Sequence, residues 1–444
     1  MYLADGRPAP ATSVAPGGRR TGRGRRVRAA VPSTVLVLGA VSLITDISSE
    51  MVTAVLPLYL VAELGLSPLG FGVLDGVYNG VSALVRLVGG RLSDRGGGAG
   101  HKAVAAVGYG LSALCKPLLL LVHSLPLIGA VLAVDRTGKG LRTAPRDAMI
   151  SLAAEPAARG RAFGVHRAMD TAGALCGPLV AFVLLRAAAE GYDAVFTVSF
   201  CVAVLGVVVL LLFVPGRARP AAADTAGRTS AGPRTPAGPR TPVRTLLGRP
   251  EIRRLTGCAV LLGLTTVSDS FLYLTLQRRL DLPAGWFPLL PLGTAAAFLS
   301  LAVPMGAIAD RIGRRRLFLA GHLVLLCAYG LLLAPFGSST ALFCAVLLLH
   351  GAFYAATDGV LAAATADAVP EDARGSGLAV VQTGQTAARF VCSLAFGAAW
   401  TAWGDHTAVL AAAVGLALAA ALSARLLRPA GPATGPNSPS EHTP

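Results

Sequence analysis

The sequence predicts an all-α membrane protein whose twelve transmembrane helices form two six-helix bundles. Two observations lead to this fold class. Hydrophobic residues make up 54% of the 444 residues and charged residues only 14%, a balance that soluble globular proteins do not have. The apolar runs are about 20 residues long, the length that a helix needs to cross a hydrocarbon core. They fall into two sets of six, at 34–214 and 253–428.

The predicted helices follow one another through short polar loops, with one long interruption. Segment 215–252 is rich in Pro, Gly, Thr and Arg and carries too few apolar residues to fold, so we expect a flexible cytoplasmic linker there. The same composition predicts a disordered basic tail at 1–33 and a second disordered tail at 429–444. The individual spans are expected at 34–62, 69–90, 103–122, 125–147, 162–187, 194–214, 254–277, 285–309, 317–336, 340–366, 375–400 and 406–427.

The distribution of basic residues predicts the orientation of the chain in the membrane. The formal net charge is +16, and basic residues concentrate in the first tail, the linker and the loops around Arg95 and Arg314. The loops of the opposite side contain only Arg186, Arg278 and Arg279. By the positive-inside rule, both termini and the linker are cytoplasmic, in a multi-pass protein of the plasma membrane. The basic charge therefore does not indicate a nucleic-acid partner.

One short loop motif occurs at equivalent places in the two halves. Its copies begin at Gly90 and Gly306, and each follows an apolar span. A repeated, charged, glycine-containing loop in two hydrophobic halves indicates a transporter built from an internal repeat. We expect the loop carboxylates to close one side of the protein in one state; alternatively, the loop arginines only set the topology. The candidate gating residues are Gly90, Asp94, Arg95, Gly306, Asp310, Arg311, Gly313 and Arg314.

Charged and polar residues recur on single faces of the predicted helices in the first half. Each charge inside a membrane costs ~2.5–3.5 kcal/mol, so it is expected to face water or a partner of opposite charge. The first helix carries Asp46 and Glu50 four residues apart, and the second and fourth helices repeat this spacing. These rows predict a hydrated substrate cavity with Asp75, Asn79, Asp135, Lys139 and Arg142.

The second half contains fewer charges within its predicted spans. A single intramembrane histidine is either a hydrogen-bonded structural group or a proton relay, and both readings stay open for His350. The candidates for substrate contact are Asp269, His350, Asp358, Gln385 and Arg389. The seven cysteines show no metal-ligand spacing, and the chain contains no evident nucleophile–base pair. We therefore expect no metal site, no cofactor and no enzyme activity.

The repeated loop and the first helix resemble those of known transporters. The pattern Gly-x-x-x-Asp-Arg-x-Gly from Gly306 to Gly313 resembles the loop between the second and third helices of the major facilitator superfamily. The segment from Glu50 to Pro57 resembles the first helix of the twelve-helix drug:proton antiporters in that superfamily. The resemblance implies that Glu50 exchanges protons, with Asp46 as a second candidate. The alternative is that both carboxylates only pair with basic residues of the fourth helix.

The fourth helix also resembles a motif of the superfamily. Arg136 and Gly140 occupy the defining positions, whereas Lys139 replaces the usual Gln. The resemblance implies that Arg136 assists proton transfer by acting on a nearby carboxylate. A salt bridge between Asp135 and Lys139, one turn apart on the same helix, is the alternative.

The fifth helix contains a third resemblance. Gly173, Gly177 and Pro178 match a motif of antiporters, although Ala181-Phe182 stands where that motif continues with Gly-Gly. Two glycines four residues apart also let two helices approach closely, so tight packing is the alternative explanation.

Taken together, these resemblances imply a secondary active transporter that exports a small organic compound or drug in exchange for protons. Three alternatives remain open: proton-coupled uptake of an anionic metabolite, export of a metal or metal chelate, and a non-transporting membrane sensor or scaffold. The expected partners are a small-molecule substrate, protons and the lipid bilayer, and the chain is expected to be a monomer.

Overall fold

The computed structural model describes residues 31–93, 97–155, 159–188, 191–215, 248–335, 339–369 and 374–427. All regular secondary structure in these ranges is helical, which confirms the predicted all-α class. The helices form twelve membrane-crossing segments in two halves of six. The linker and both predicted tails lie almost entirely outside the described residues.

The first half consists of six helices close to the predicted spans. The first helix, α1, continues into a π-helical turn at Tyr59–Glu63. The fourth, α4, continues to Ala153, beyond its predicted end at 147. The bounds are α1 Ser33–Leu58, α2 Pro68–Ser93, α3 Gly97–Leu121, α4 Leu125–Ala153, α5 Arg159–Ala187 and α6 Gly191–Phe213.

The second half has the same number of crossings but more interruptions. A 3₁₀ turn, Ala284–Trp286, precedes α9, and α13 contains a kink at Gly404, whose φ of 82° divides it into the last two crossings. The bounds are α7 Pro250–Gly263, α8 Asp269–Leu280, α9 Leu289–Ile312, α10 Arg314–Leu333, α11 Thr340–Thr357, α12 Val360–Asp367 and α13 Arg374–Leu426.

Two predicted continuous helices are broken in the structure. The span predicted at 254–277 is interrupted between α7 and α8, where the Thr265 and Thr266 hydroxyls donate to the Leu262 carbonyl at 3.1 and 2.8 Å. In a continuous helix that carbonyl would accept a hydrogen bond from the Thr266 N–H, so the side-chain hydroxyls compete with the helical backbone hydrogen bond. The span predicted at 340–366 is broken between α11 and α12 by Gly359, whose φ is 77°.

Within the first half, α1 and α5 pack in close contact. A Cβ added to Gly173 would lie 2.5 Å from the Leu43 carbonyl oxygen, and one added to Gly177 would lie 2.8 Å from the Ile47 carbonyl oxygen. Only glycine allows the two backbones to approach this closely. The tight-packing explanation of the fifth-helix motif therefore describes the observed geometry.

The outer surface of the protein is apolar, as a lipid-facing surface should be. Eight helical segments among the described residues are long and apolar enough to cross a membrane. Their exposed side chains include Leu205, Leu212, Val303 and Leu418. The chain is therefore a multi-pass membrane protein.

A candidate translocation cavity between the halves

A cavity of about 370 Å³ lies between the two halves. Its wall is formed by α1 and α2 of the first half and, in the second half, by the α7–α8 break, α8, α9, α11, the α11–α12 break and α13. Both helix breaks thus open onto the cavity, as discontinuous helices do at transporter binding sites. The charged residues of the wall are Glu50, Asp75, Asp269, Asp358 and Arg389.

Two ion pairs connect the charged rows of α1 and α4. Lys139 Nζ lies 3.3 Å from Glu50 Oε1, and Arg142 Nη2 lies 3.1 Å from Asp46 Oδ1. The acids lie four residues apart on α1 and their basic partners three apart on α4, about one helical turn in each case, and the two helices run in opposite directions, so each acid meets its base. Both acidic candidates of α1 are therefore paired with basic residues of α4, the contacts that the alternative reading of Glu50 and Asp46 expected.

The ion pairs of Asp135 differ from the one that the sequence suggested. Its carboxylate lies 3.0 Å from Lys116 Nζ of α3 and 2.7 Å from Arg136 Nη2, and Ser112 Oγ donates to it at 2.5 Å. The proposed Asp135–Lys139 salt bridge is wrong, because Asp135 points towards α3 whereas Lys139 points towards Glu50. Asp135 is buried and lies outside the cavity wall.

Aromatic rings connect these buried charges to the cavity. The Arg136 guanidinium lies 3.9 Å from the centre of the Tyr78 ring, and Tyr78 belongs to the cavity wall. The Tyr78 hydroxyl lies 3.0 Å from Thr53 Oγ1, also in the wall. Arg142, predicted to line the cavity, instead lies 4.5 Å from the ring centre of Tyr109 on α3. Arg136 thus reaches the cavity through a ring that sequence reasoning did not single out.

Asp75 connects the two halves at the cavity. Ser393 Oγ of α13 donates to Asp75 Oδ2 at 2.6 Å, and the Asp75 carboxylate is buried. Asn79 lies in the wall one turn further along α2. Ser393 was not predicted, although it lies four residues after Arg389 on the face that also carries Gln385, so extending that row would have found it.

In the second half, Asp269 contacts the predicted residue His350 and also Tyr354. Tyr354 Oη donates to Asp269 Oδ1 at 2.5 Å, and His350 Nε2 lies 3.1 Å from the same oxygen. His350 is fully buried behind the wall rather than in it. Gln385 lies in a smaller recess of about 110 Å³ that adjoins the cavity at Asp358.

The predicted gating loops are partly described. Asp94 and Arg95 lie outside the described residues, and Gly90 is within α2. In the second copy, Asp310 and Arg311 are exposed at the end of α9, where Gly313 has a φ of 95°. Arg314 Nη1 lies 2.6 Å from Asp367 Oδ2 and so connects this loop to α12. Gly306 lies within α9.

Contacts between the halves are prominent at the end of the protein opposite Ser33 and Leu426. There, the Leu69 amide donates to Thr401 Oγ1 at 3.0 Å. The rings of Phe182 and Trp286 are 5.5 Å apart, and a Cβ at Gly72 would lie 2.5 Å from the Ser393 carbonyl oxygen. We call this group of contacts the closed end.

Comparison with known proteins agrees with this architecture. A family model described as Major Facilitator Superfamily matches residues 38–303 and 289–444. An uncharacterized MFS-type transporter of Methanocaldococcus jannaschii is 26% identical over 370 residues, which cover 82% of this chain and 88% of the relative. An uncharacterized protein of Mycobacterium tuberculosis is 35% identical over 158 residues, 36% of this chain and 38% of that protein.

Solved transporter structures have the same fold at low sequence identity. The nucleoside transporter NupG superposes with a TM-score of 0.73 at 12% identity, covering 90% of this chain and 100% of that one. A bacterial homologue of the lysosomal transporter Spinster, in an inward-facing and unoccupied conformation, gives 0.70 at 15% identity, covering 88% and 96%. With a family model that matches nearly the whole chain, the protein belongs to the major facilitator superfamily and is a membrane transporter.

Proposed function

We propose that this protein exports a small cationic organic compound in exchange for protons, by alternating access of the cavity between its halves. The observation that supports this function best is the charge of the cavity wall. Four carboxylates line it, those of Glu50, Asp75, Asp269 and Asp358, against the single guanidinium of Arg389. Carboxylates in a partly dehydrated cavity are stabilised by a proton or by a bound cation, so the two compete for the same groups.

The same charge balance disfavours uptake of an anion. The basic residues of α3 and α4 that could attract an anion are already paired with carboxylates. Lys116 and Arg136 contact Asp135, Lys139 contacts Glu50, and Arg142 contacts Asp46. Export of a metal has less support, because no group of three or more potential metal ligands occurs among the described side chains. An organic cation also suits the aromatic part of the wall, which includes Tyr78, Tyr273, Phe287 and Phe298.

We also propose that the transporter lies in the plasma membrane with both termini in the cytoplasm. The closed end then faces outwards, and the described conformation corresponds to an inward-facing state. In that state, Asp310 of the second gating loop is exposed, as expected for a gate that pairs only when the cytoplasmic side is closed. The arginine-rich loops lie on the cytoplasmic side in this orientation.

Glu50 is the proposed point at which protons and substrate interact, with Asp46 and Arg136 acting beside it. Its carboxylate is the only one in the wall from α1, and its ion pair with Lys139 is 35% exposed on the lysine side. A cationic substrate that approaches Glu50 competes with Lys139 for the carboxylate. Substrate binding and the charge state of the two ion pairs between α1 and α4 are therefore linked.

Transport by inside-out vesicles tests this proposal. Vesicles are given an acidic interior and a pH-sensitive dye, and cationic compounds, organic anions and divalent metals are added in turn. We expect alkalinisation of the interior with organic cations, and loss of that response in Glu50→Gln vesicles that contain as much protein. A response to anions alone would contradict the proposed substrate, and an undiminished response in Glu50→Gln would contradict the role of Glu50.

A further inference from the structure

A second acidic site lies apart from the cavity, where α1, α4 and α5 meet. The carboxyl groups of Asp46 on α1 and Asp170 on α5 are within hydrogen-bonding contact of each other. Arg142 lies 3.1 Å from Asp46, and Arg146 lies 3.4 Å from Asp170. None of these four side chains belongs to the cavity wall.

A proton would stabilise the contact between the two carboxyl groups. An ionised carboxylate only accepts hydrogen bonds, so two of them in contact repel each other unless one carries a hydrogen that it donates to the other. Asp46 is 8% exposed, and the Asp170 side chain is 21% exposed. Little water is therefore available to screen the repulsion, whereas Asp170 remains accessible enough to exchange a proton.

Charged and titratable groups of α1, α3, α4 and α5 surround the pair. Glu50, the next acidic group of α1, is engaged by Lys139. The other charged or titratable groups facing the pair, among those described, are Tyr109 on α3, Arg142, Arg146 and Asp147 on α4, and His166 and Arg167 on α5. Two arginines thus hold the pair in place, and Asp147 shares Arg146 with it at 3.2 Å.

His166 provides a second indication of proton chemistry at this place. It lies one helical turn before Asp170, it is 1% exposed, and neither of its ring nitrogens has a hydrogen-bond partner among the described residues. A buried imidazole without a partner is costly as a purely structural group. Its uncommitted ring nitrogens can accept a hydrogen bond, and they lie one helical turn from Asp170.

We propose that Asp46 and Asp170 share one proton and that this pair holds the proton which the transporter exchanges for its substrate. The inference rests on the proposed proton coupling. Loss of the proton leaves two negative charges beside Arg142, Arg146 and Lys139. Asp46 then competes with Glu50 for Lys139, and the negative charge of Glu50 becomes available to a cation in the cavity. Proton release at the pair thereby favours cation binding at the wall.

Infrared spectroscopy of the purified full-length protein in lipid tests the shared proton without a substrate. The carbonyl stretch of a protonated carboxylic acid is recorded as a difference spectrum between acidic and alkaline buffer. We expect one component that shifts when the protein is grown with isotope-labelled aspartate, and that is missing from Asp170→Asn and from Asp46→Asn. In each variant the new amide donates to the remaining carboxylate, which needs no proton.

Three variants serve as matched controls. Asp147→Asn removes a carboxylate that contacts the same Arg146, Asp75→Asn removes the buried aspartate of the cavity, and Glu50→Gln removes the wall glutamate. All three should retain the component. Its absence from the wild type, its persistence in a folded Asp170→Asn protein, or its loss in Asp147→Asn would overturn the proposal. If the component behaves as expected while the vesicles show no proton movement, the shared proton stands and the proposed coupling fails.

Discussion

At the scale of single residues, Lys116 and Lys139 of the first half occupy unlike environments. Lys116 is 3% exposed and lies 3.0 Å from Asp135, in a cluster whose charged residues are all buried. Lys139 was predicted to line the cavity but lies outside its wall, paired with Glu50; it is about one third exposed, and this contact is longer, at 3.3 Å. A buried charge left without its partner is costly, whereas an exposed pair contributes little.

We therefore expect the same substitution to have different effects at the two lysines. Lys116→Met should destabilise the folded protein by about 3 kcal/mol, because Asp135 keeps only Arg136 as an ionic partner. Lys139→Met should change stability by less than about 1 kcal/mol. The fraction of protein that remains monodisperse in detergent after heating measures both. Equal losses of stability in the two variants would show that the Asp135 cluster contributes no more to stability than the Lys139–Glu50 pair.

Residue spacing predicted some of these contacts and not others, for a physical reason. Periodicity shows which residues share a helix face, so the acidic row of α1 and the basic row of α4 were expected to meet basic and acidic partners. It does not show which neighbouring helix that face meets. Asp135 of α4 is paired with Lys116 of α3, and Asp46 of α1 contacts Asp170 of α5. Both contacts depend on how these four helices pack together.

At the scale of helices, hydropathy identified the spans but not the two breaks. The α7–α8 break at 264–268 and the α11–α12 break at 358–359 are short, so a hydropathy average over a whole span runs through them. The local signals were the adjacent threonines 265 and 266 and the glycine at 359. Each is common inside membrane helices, where neighbouring groups satisfy the freed backbone atoms. The breaks become evident only with the cavity that they line.

The close approach of α1 and α5 leads to a prediction at this scale. Gly173→Ala would place a Cβ 2.5 Å from the Leu43 carbonyl oxygen, so α5 must move away from α1, at a cost of about 1–3 kcal/mol. Gly164→Ala lies on the same helix, has no atom within 4 Å of the added Cβ, and should gain up to about 1 kcal/mol of helix propensity.

Thermal unfolding of the two variants, followed side by side, measures this difference. The control has the same substitution on the same helix, so it removes the effect of propensity from the comparison. If Gly173→Ala were as stable as Gly164→Ala, close packing would not explain the glycine motif of α5. The antiporter function suggested by the motif would then be the remaining explanation.

At the scale of the whole molecule, the two-half architecture followed from the repeated loop, but the conformation did not. Both states of an alternating-access transporter use the same helices, and the sequence encodes the contacts of each. Which of these contacts form in a given state depends on how the two halves pack against each other. In the described state, Phe71 of α2 packs against Phe271 of α8 at 4.9 Å, and Asp75 accepts a hydrogen bond from Ser393.

The closed end must open during each transport cycle if access to the cavity alternates. Leu69 and Thr401 are joined there by a hydrogen bond of 3.0 Å between the halves, so cysteines at these two positions should form a disulfide under mild oxidation. We expect the crosslinked Leu69→Cys/Thr401→Cys protein, in a background without the seven native cysteines, to lose transport of whichever compound gives a vesicle response. Reducing agent should restore transport, and each single-cysteine protein should be indifferent to oxidation. Full transport by protein whose crosslink is verified on a gel would mean that this end stays closed throughout the cycle, and the alternating-access reading of the cavity would then be wrong.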